Sequence, residues 1–235
     1  MRIDILTLFP GIFHGFLDES LVRLARERDI VEVHLWDIRD YTDDKHRKVD
    51  DRPYGGGPGM VIMPGPVFAA AEVADAAAQP PARKLLLSPQ GRTYTQALAR
   101  ELAAEPRLML VCGRYEGFDE RIHEGLGAEE LSIGDYVLAG GEPAAMVVVE
   151  SIVRLLPGAI SDPESAVFES FEGGLLDCPQ YTRPPVFRGR AVPDVLLSGN
   201  HEAIRQWRAE RARERTLARR PDLAAAGAGA AHDQP

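Results

Sequence analysis

A chain of 235 residues, 45 % of them hydrophobic, can bury a core as one large domain or two modest ones. Two cysteines exclude a disulfide framework, and Glu150 and Arg154 interrupt the best candidate for a membrane span. The formal charge of −9 argues against a polyanionic partner until its distribution is considered: Arg183 to Arg220 holds ten arginines against four acids, a local +6 that leaves −15 for the rest. A basic segment on an acidic body readmits nucleic acid. Asp4 and Pro10 stand where a signal peptide would have its apolar core, so a cytoplasmic protein is expected, with no membrane partner.

In chain order, Ile3, Ile5 and Leu8 alternate as a short strand, and Phe9-Pro-Gly11 breaks it. Phe13, Phe16, Leu17, Leu21 and Leu24 recur at helical spacing, and Val31, Val33 and Leu35 alternate again, which opens an α/β unit. A polar loop from Arg39 to Met60 follows, carrying Lys45-His-Arg-Lys48 and Tyr54-Gly-Gly-Gly-Pro-Gly-Met60. Its length fits a lid, a loop approached by RNA backbone, or a disordered segment. No Gly-Lys-Ser/Thr follows these glycines, which argues against a nucleoside-triphosphate P-loop.

Pro66 to Ala78 is alanine-rich and helical; Leu85 to Leu87 is a short strand of the kind buried on both faces of a parallel sheet. Ser88-Pro-Gln-Gly91 comes next, and Thr95 is placed to cap a helix carrying Leu98 and Leu102. Leu108 to Cys112 is a second buried strand ending in Gly113-Arg-Tyr-Glu-Gly117, and a short helix holds Arg121 and Ile122. Leu131-Ser-Ile-Gly-Asp-Tyr-Val-Leu-Ala-Gly-Gly-Glu142 then reads either as a strand that breaks and crosses a cleft with its backbone exposed, or as an ordinary strand-turn-helix connection. Three apolar strands thus each lead into a glycine-containing loop, and ligands of open parallel sheets bind beyond such strand ends.

Pro143 to Leu156 is a helix apolar on most faces, to be covered by a second subunit or by the chain itself. Arg154 interrupts it, pointing to solvent or held toward an anion. Pro157 to Pro163 is turn-rich, and beyond it a proline-punctuated arm leads to Ser198-Gly-Asn200, which caps a helix carrying Arg205, Arg208, Arg215 and Arg219. That face suits phosphates, or is a solvated face partnered by Glu202, Glu210 and Glu214. The expected divisions are a first domain over 1–160, a linker over 161–168, a helical domain over 169–223 and a disordered tail over 224–235.

Taken together, Ser88-Pro-Gln-Gly91, Val111-Cys-Gly-Arg-Tyr-Glu-Gly117, Ser132-Ile-Gly-Asp-Tyr-Val-Leu138, Gly140-Gly-Glu142 and Gly174-Leu-Leu-Asp-Cys-Pro-Gln-Tyr-Thr-Arg-Pro184 closely resemble the bacterial TrmD family. Asp50-Asp-Arg-Pro-Tyr-Gly-Gly-Gly-Pro-Gly-Met60 and Leu196-Leu-Ser-Gly-Asn-His201 extend the likeness over residues 1 to 223. These are tRNA (guanine-N1)-methyltransferases of the SPOUT class, acting on the guanosine 3′ of the anticodon. The resemblance implies an α/β fold whose parallel sheet ends in a carboxyl-terminal trefoil knot, a small helical C-terminal domain that grips tRNA, and a homodimer with a composite site.

It further implies that S-adenosyl-L-methionine is held by Pro89, Gly91, Gly113, Tyr115 and Glu116 from the first two loops. The third loop would add Ile133, Gly134, Asp135, Tyr136, Val137, Leu138, Gly140 and Gly141. Contacts to tRNA are expected from Arg183, Asn200, His201, Arg205, Arg208 and Arg215. Guanine N1 carries a proton that a carboxylate must remove, and the charge spreading to O6 calls for a cation; the matching positions are Glu169 and Arg154. Glu169 departs from the family's aspartate by one methylene. The scattered histidines and cysteines offer no zinc site, and a Mg²⁺ ion near Glu116 is compatible with the sequence without being required by it.

Overall fold

A computed structural model describes residues 1–160 and 169–224. The expected linker, 161–168, lies outside the described residues, as does the expected tail apart from Ala224, which closes a short helical turn. The chain divides into two compact units, Met1–Ser161 and Asp162–Pro235.

The first unit is built on a five-stranded, wholly parallel sheet. Its strands are β1 (Arg2–Thr7), β2 (Glu32–Asp37), β5 (Arg83–Thr93), β6 (Arg107–Cys112) and β7 (Glu129–Ser132), in the order β2-β1-β6-β5-β7. Short strands β3 (Asp50–Asp51) and β4 (Val61–Ile62) pair antiparallel beside it. Side chains of a strand alternate between faces, so each continuous apolar run feeds two cores. Ile3, Ile5, Leu85, Leu87, Leu108 and Leu110 pack on one face with α2 (Ser20–Glu27), α4 (Gln96–Ala103) and α6 (Glu142–Val153). Leu6, Leu86, Met109 and Val111 pack on the other with α3 (Pro64–Ala76) and α5 (Glu120–Leu126).

Three sequence expectations are refined. The helical periodicity from Phe13 to Leu24 is divided into a 3₁₀ turn (Pro10–Phe13), α1 (His14–Leu17) and α2, because Ser20 takes a left-handed backbone at φ +51°. Ser88 to Gly91 is a bulge inside β5, whose pairing with β7 breaks after Leu87 and resumes at Arg92. The loop from Arg39 to Met60 has local order: Val49 is fully buried, Thr42 Oγ1 donates to the Lys48 carbonyl at 2.9 Å, and Met63 N–H donates to Val49 at 2.8 Å.

The second unit contains a hairpin, β8 (Val186–Phe187) with β9 (Arg190–Ala191), then α7 (Asp194–Leu197) and α8 (His201–Arg219). Positive φ at both Arg188 and Gly189 gives the hairpin a two-residue turn matched to strand twist. Asn200 caps α8 by accepting from Ala203 N–H at 3.1 Å. Buried Thr216 joins α8 to the arm, accepting from Leu176 N–H at 2.9 Å and donating to the Ala212 carbonyl at 2.7 Å.

Candidate active site

Beyond the carboxyl ends of β6 and β7, and against the bulge in β5, lies a pocket of about 270 Å³. All three glycine-containing loops line it: Ser88 to Gln90, Gly113 to Gly117, and Ile133 to Gly141 with the exception of Asp135. The walls are largely backbone. Gly91 supports one wall from behind, where a β-carbon would stand 2.3 Å from the Glu130 carbonyl carbon, so the bulge meets β7 only because the side chain is absent. Gly141 N–H donates to the Gly113 carbonyl at 2.8 Å, closing the third loop onto the second. Between them Tyr115 holds a left-handed backbone at φ +60°, a conformation that costs a non-glycine residue on the order of 1 kcal/mol. Strain of this kind collects where a site is over-determined.

A buried charge pair fixes the third loop. Glu142, fully buried at the start of α6, accepts from Thr7 Oγ1 at 2.8 Å and from Arg114 Nε at 3.0 Å. Arg114 also donates to the Ala139 carbonyl at 3.3 Å and lies over the Phe9 ring at 4.5 Å. The end of β1, the second loop and the third loop are thereby held together by one guanidinium and one carboxylate. Cys112 lies beneath; burial, with the Glu142 charge added to it, pushes its thiol well above the ordinary range and leaves it a core residue, as its place in an apolar run predicts.

The lining therefore includes every predicted ligand residue except Gly91, which acts from behind, and Asp135, which is exposed. Glu116 N–H donates to the Met60 carbonyl at 3.0 Å, and its side chain occupies the space that a β-carbon on Gly59 would need, tying the glycine-rich loop to the rim. Arg114 was missed as a site residue, although it stands inside the recognised Gly113–Gly117 motif. Arg154 is half-buried at the C-cap of α6 in the first unit; Glu169 is half-buried in the second. Among the predicted RNA contacts, Arg183 and Arg208 line one cleft, and His201 is exposed at the head of α8. Asn200 serves as a cap, Arg205 pairs with Glu202, and Arg215 donates to the Asp177 carbonyl at 3.3 Å. Among the described residues, no cluster of three or more histidines, cysteines and carboxylates could hold a metal ion, and no helix is long and apolar enough to cross a membrane.

An open parallel sheet with a backbone-walled pocket near its strand ends defines an α/β protein with a candidate ligand site. The chain belongs to the tRNA (guanine-1)-methyltransferase TrmD family, whose profile matches residues 1–226. It is 56 % identical over 223 residues to the tRNA (guanine-N(1)-)-methyltransferase of Geobacillus kaustophilus, covering 95 % of this chain and 91 % of that one. The proteins of the same name from Thermomicrobium roseum and Moorella thermoacetica are each 55 % identical over 228 residues, covering 97 % and 96 % of this chain and 85 % and 90 % of theirs.

Proposed function

We propose that this chain transfers a methyl group from S-adenosylmethionine to N1 of the guanosine immediately 3′ of the anticodon (position 37) in tRNA. Family membership and the relatives' names support the reaction. The observation that carries the reading is the convergence of three loops on one pocket of about 270 Å³. The pocket suits the donor. Exposed rings of Tyr115 and Tyr136 and a glycine backbone fit an adenosine, and the carboxylates of Glu116, Asp119 and Glu130 on the lining suit a sulfonium cation. A volume near the bottom of the usual ligand-pocket range of about 300–1,000 Å³ favours a folded donor over an extended one.

When bound, the donor supplies an electrophilic methyl carbon. The chain's residues supply the rest. Glu169 accepts the N1 proton, which makes N1 nucleophilic, and Arg154 holds the negative charge that develops on O6. Arg154 belongs to the first unit and Glu169 to the second. Glu169 reaches one methylene farther than the family's aspartate.

The finer architecture follows from the same reading. The segment from Ile133 to α6 is the threaded part of a trefoil knot, supported by its path: it leaves edge strand β7 and reaches Thr7 of β1, on the far side of β5 and β6. An experimental trace running clear of the 88–93 segment would overturn this. The linker, 161–168, joins the donor-binding domain to a helical tRNA-binding domain over 169–223. Val147, an apolar side chain 46 % exposed on α6, supports a homodimer; a monomeric sedimentation mass at micromolar concentration would count against it. The cytoplasm is the compartment of such a reaction, and recovery in a membrane fraction would contradict that assignment.

Transfer of labelled methyl to tRNA transcripts tests the whole reading, with transcripts lacking the target guanosine as the blank. Glu169→Ala should lower single-turnover transfer by roughly 10²–10⁴-fold with donor affinity unchanged. Transfer at the native rate would remove Glu169 from the role.

A further inference from the structure

The second unit contains a cleft of its own, apart from the pocket proposed for the methyl donor. It measures about 430 Å³ and lies between the arm Pro179–Pro185, the Val192–Leu197 segment and α8. Half-buried Val192, Leu196 and Ile204 give it an apolar interior, and exposed Tyr181, Arg183 and Arg208 stand around it. Among the described residues that line it, none is acidic. Of the nearby carboxylates, Asp177 accepts from Gln180 Nε2 at 2.9 Å, Glu202 takes Arg205 and Gln206, and Asp194 is exposed and off the lining.

Two features make the cleft a prepared site rather than a gap. The Tyr181 ring is set against Trp207 of α8, with centroids 6.3 Å apart and planes at 56°, which fixes its direction. The Val192 N–H donates to the Pro185 carbonyl at 2.8 Å, so the β8–β9 hairpin springs from the cleft's own lip. That hairpin presents Phe187, 60 % exposed, with the Arg188 guanidinium 5.2 Å from its centroid. A flat aromatic face, two guanidinium groups and an apolar interior together demand a ligand with a planar ring and an anionic group. An unpaired nucleotide has both.

We infer that this cleft is a subsite for one unstacked nucleotide of the RNA, its base on Tyr181 and its phosphate between Arg183 and Arg208. The inference rests on the tRNA reading above and adds a second grip, distinct from the pocket that would hold the methyl donor.

An abasic scan tests it. The probes are an RNA hairpin carrying the anticodon stem-loop sequence and a set with one loop base removed at a time, bound to the full chain with S-adenosylmethionine present. Base–aromatic stacking predicts that one removal, besides that of the target guanosine, weakens binding roughly 5- to 100-fold. Tyr181→Ala should bind the intact hairpin weaker by a similar factor and no longer respond to that removal, while still responding to loss of the target guanosine. Tyr181→Phe keeps the ring and should match the native chain, which guards against a folding effect. Arg208→Ala should reduce the slope of log affinity against log salt by about 0.7–0.9.

Native affinity of Tyr181→Ala for the intact hairpin overturns the subsite. So does an equal loss for every abasic probe, or a change of oligomeric mass without loss of RNA binding, which would make the cleft a subunit contact. In any of these cases, methyl transfer to tRNA by the native chain would leave the functional reading standing. A native chain that bound donor and no RNA would end both.

Discussion

The two ends of the parallel sheet each bury one carboxylate against arginine, two guanidinium groups at one end and one at the other, and they use the arrangement to different ends. Near the amino ends, Asp4 accepts from Arg2 and Trp36, each at 2.9 Å, and from Arg107 Nε at 2.9 Å. Arg107 is 1 % exposed, and its remaining donors take the carbonyls of Ala74, Asp75, Ala78 and Pro80 at the end of α3. The Ala74 and Asp75 carbonyls stand in the last turn of α3, at the negative end of the helix dipole, so a cation there is favoured. At the carboxyl ends, Glu142 is as deeply buried, but its arginine is 19 % exposed and holds loops instead of a helix end. Much the same pair of groups closes the fold at one end and keeps a ligand pocket open at the other. A fully enclosed pair has every donor and acceptor met by protein; a pair at a pocket rim can leave part of its arginine to solvent or a ligand.

Breaking each pair should separate stability from function. Asp4→Ala leaves Arg107 buried without its counter-charge, and about 3–5 kcal/mol of stability should be lost in urea unfolding. Donor affinity of the molecules still folded should be unchanged. Weakened donor binding in the folded fraction would erase the proposed division of labour. Gly91→Ala comes next: its β-carbon would meet β7 backbone at 2.3 Å, so a cost of about 1–3 kcal/mol and loss of donor binding by calorimetry are expected together. Glu142→Gln removes the charge while keeping the shape, and should cost about 1–3 kcal/mol. Misplacing the third loop should also slow methyl transfer by up to about 10²-fold. A stability loss with native transfer would make the Glu142–Arg114 pair purely structural.

The same contrast explains what could be read from the residues. Leu85–Leu87 and Leu108–Cys112 announced themselves as buried strands because both faces of the sheet are covered, and Thr95 and Asn200 announced their helices because a cap is a local interaction. The pocket was legible because all three of its loops follow apolar runs, although the first proves to be a bulge within β5. Arg107 was not: a charge before an apolar run looks like an exposed flank, and only the return of α3 gives it four carbonyls to fill. Nor was the Arg114–Glu142 pair, whose members are 28 positions apart and meet only because the chain crosses from β7 back to β1. Gly91 also stands in close approach to Glu130 and Leu131, a contact that no local pattern encodes. The grouping of Arg154 with Glu169 came from family resemblance alone, since nothing local joins residues of two separate units.

The smallest expected effect is in acid, and it should belong to the closed end. Burial by itself raises the Asp4 carboxyl, but the hydrogen bonds from Arg2, Trp36 and Arg107 outweigh burial and hold it below the usual carboxylate range. A group depressed in the folded state contributes its full stability above its unfolded value, about 3.9, and loses that contribution as pH falls through the folded value. Native protein and Asp4→Asn should therefore differ by a constant Tm from about pH 7 down to about pH 5, and the difference should narrow below about pH 4. A gap that widened on acidification would mean that Asp4 is protonated more readily in the folded chain than in the unfolded one. The network of Arg2, Trp36 and Arg107 would then not be the anchor of the closed end of the sheet.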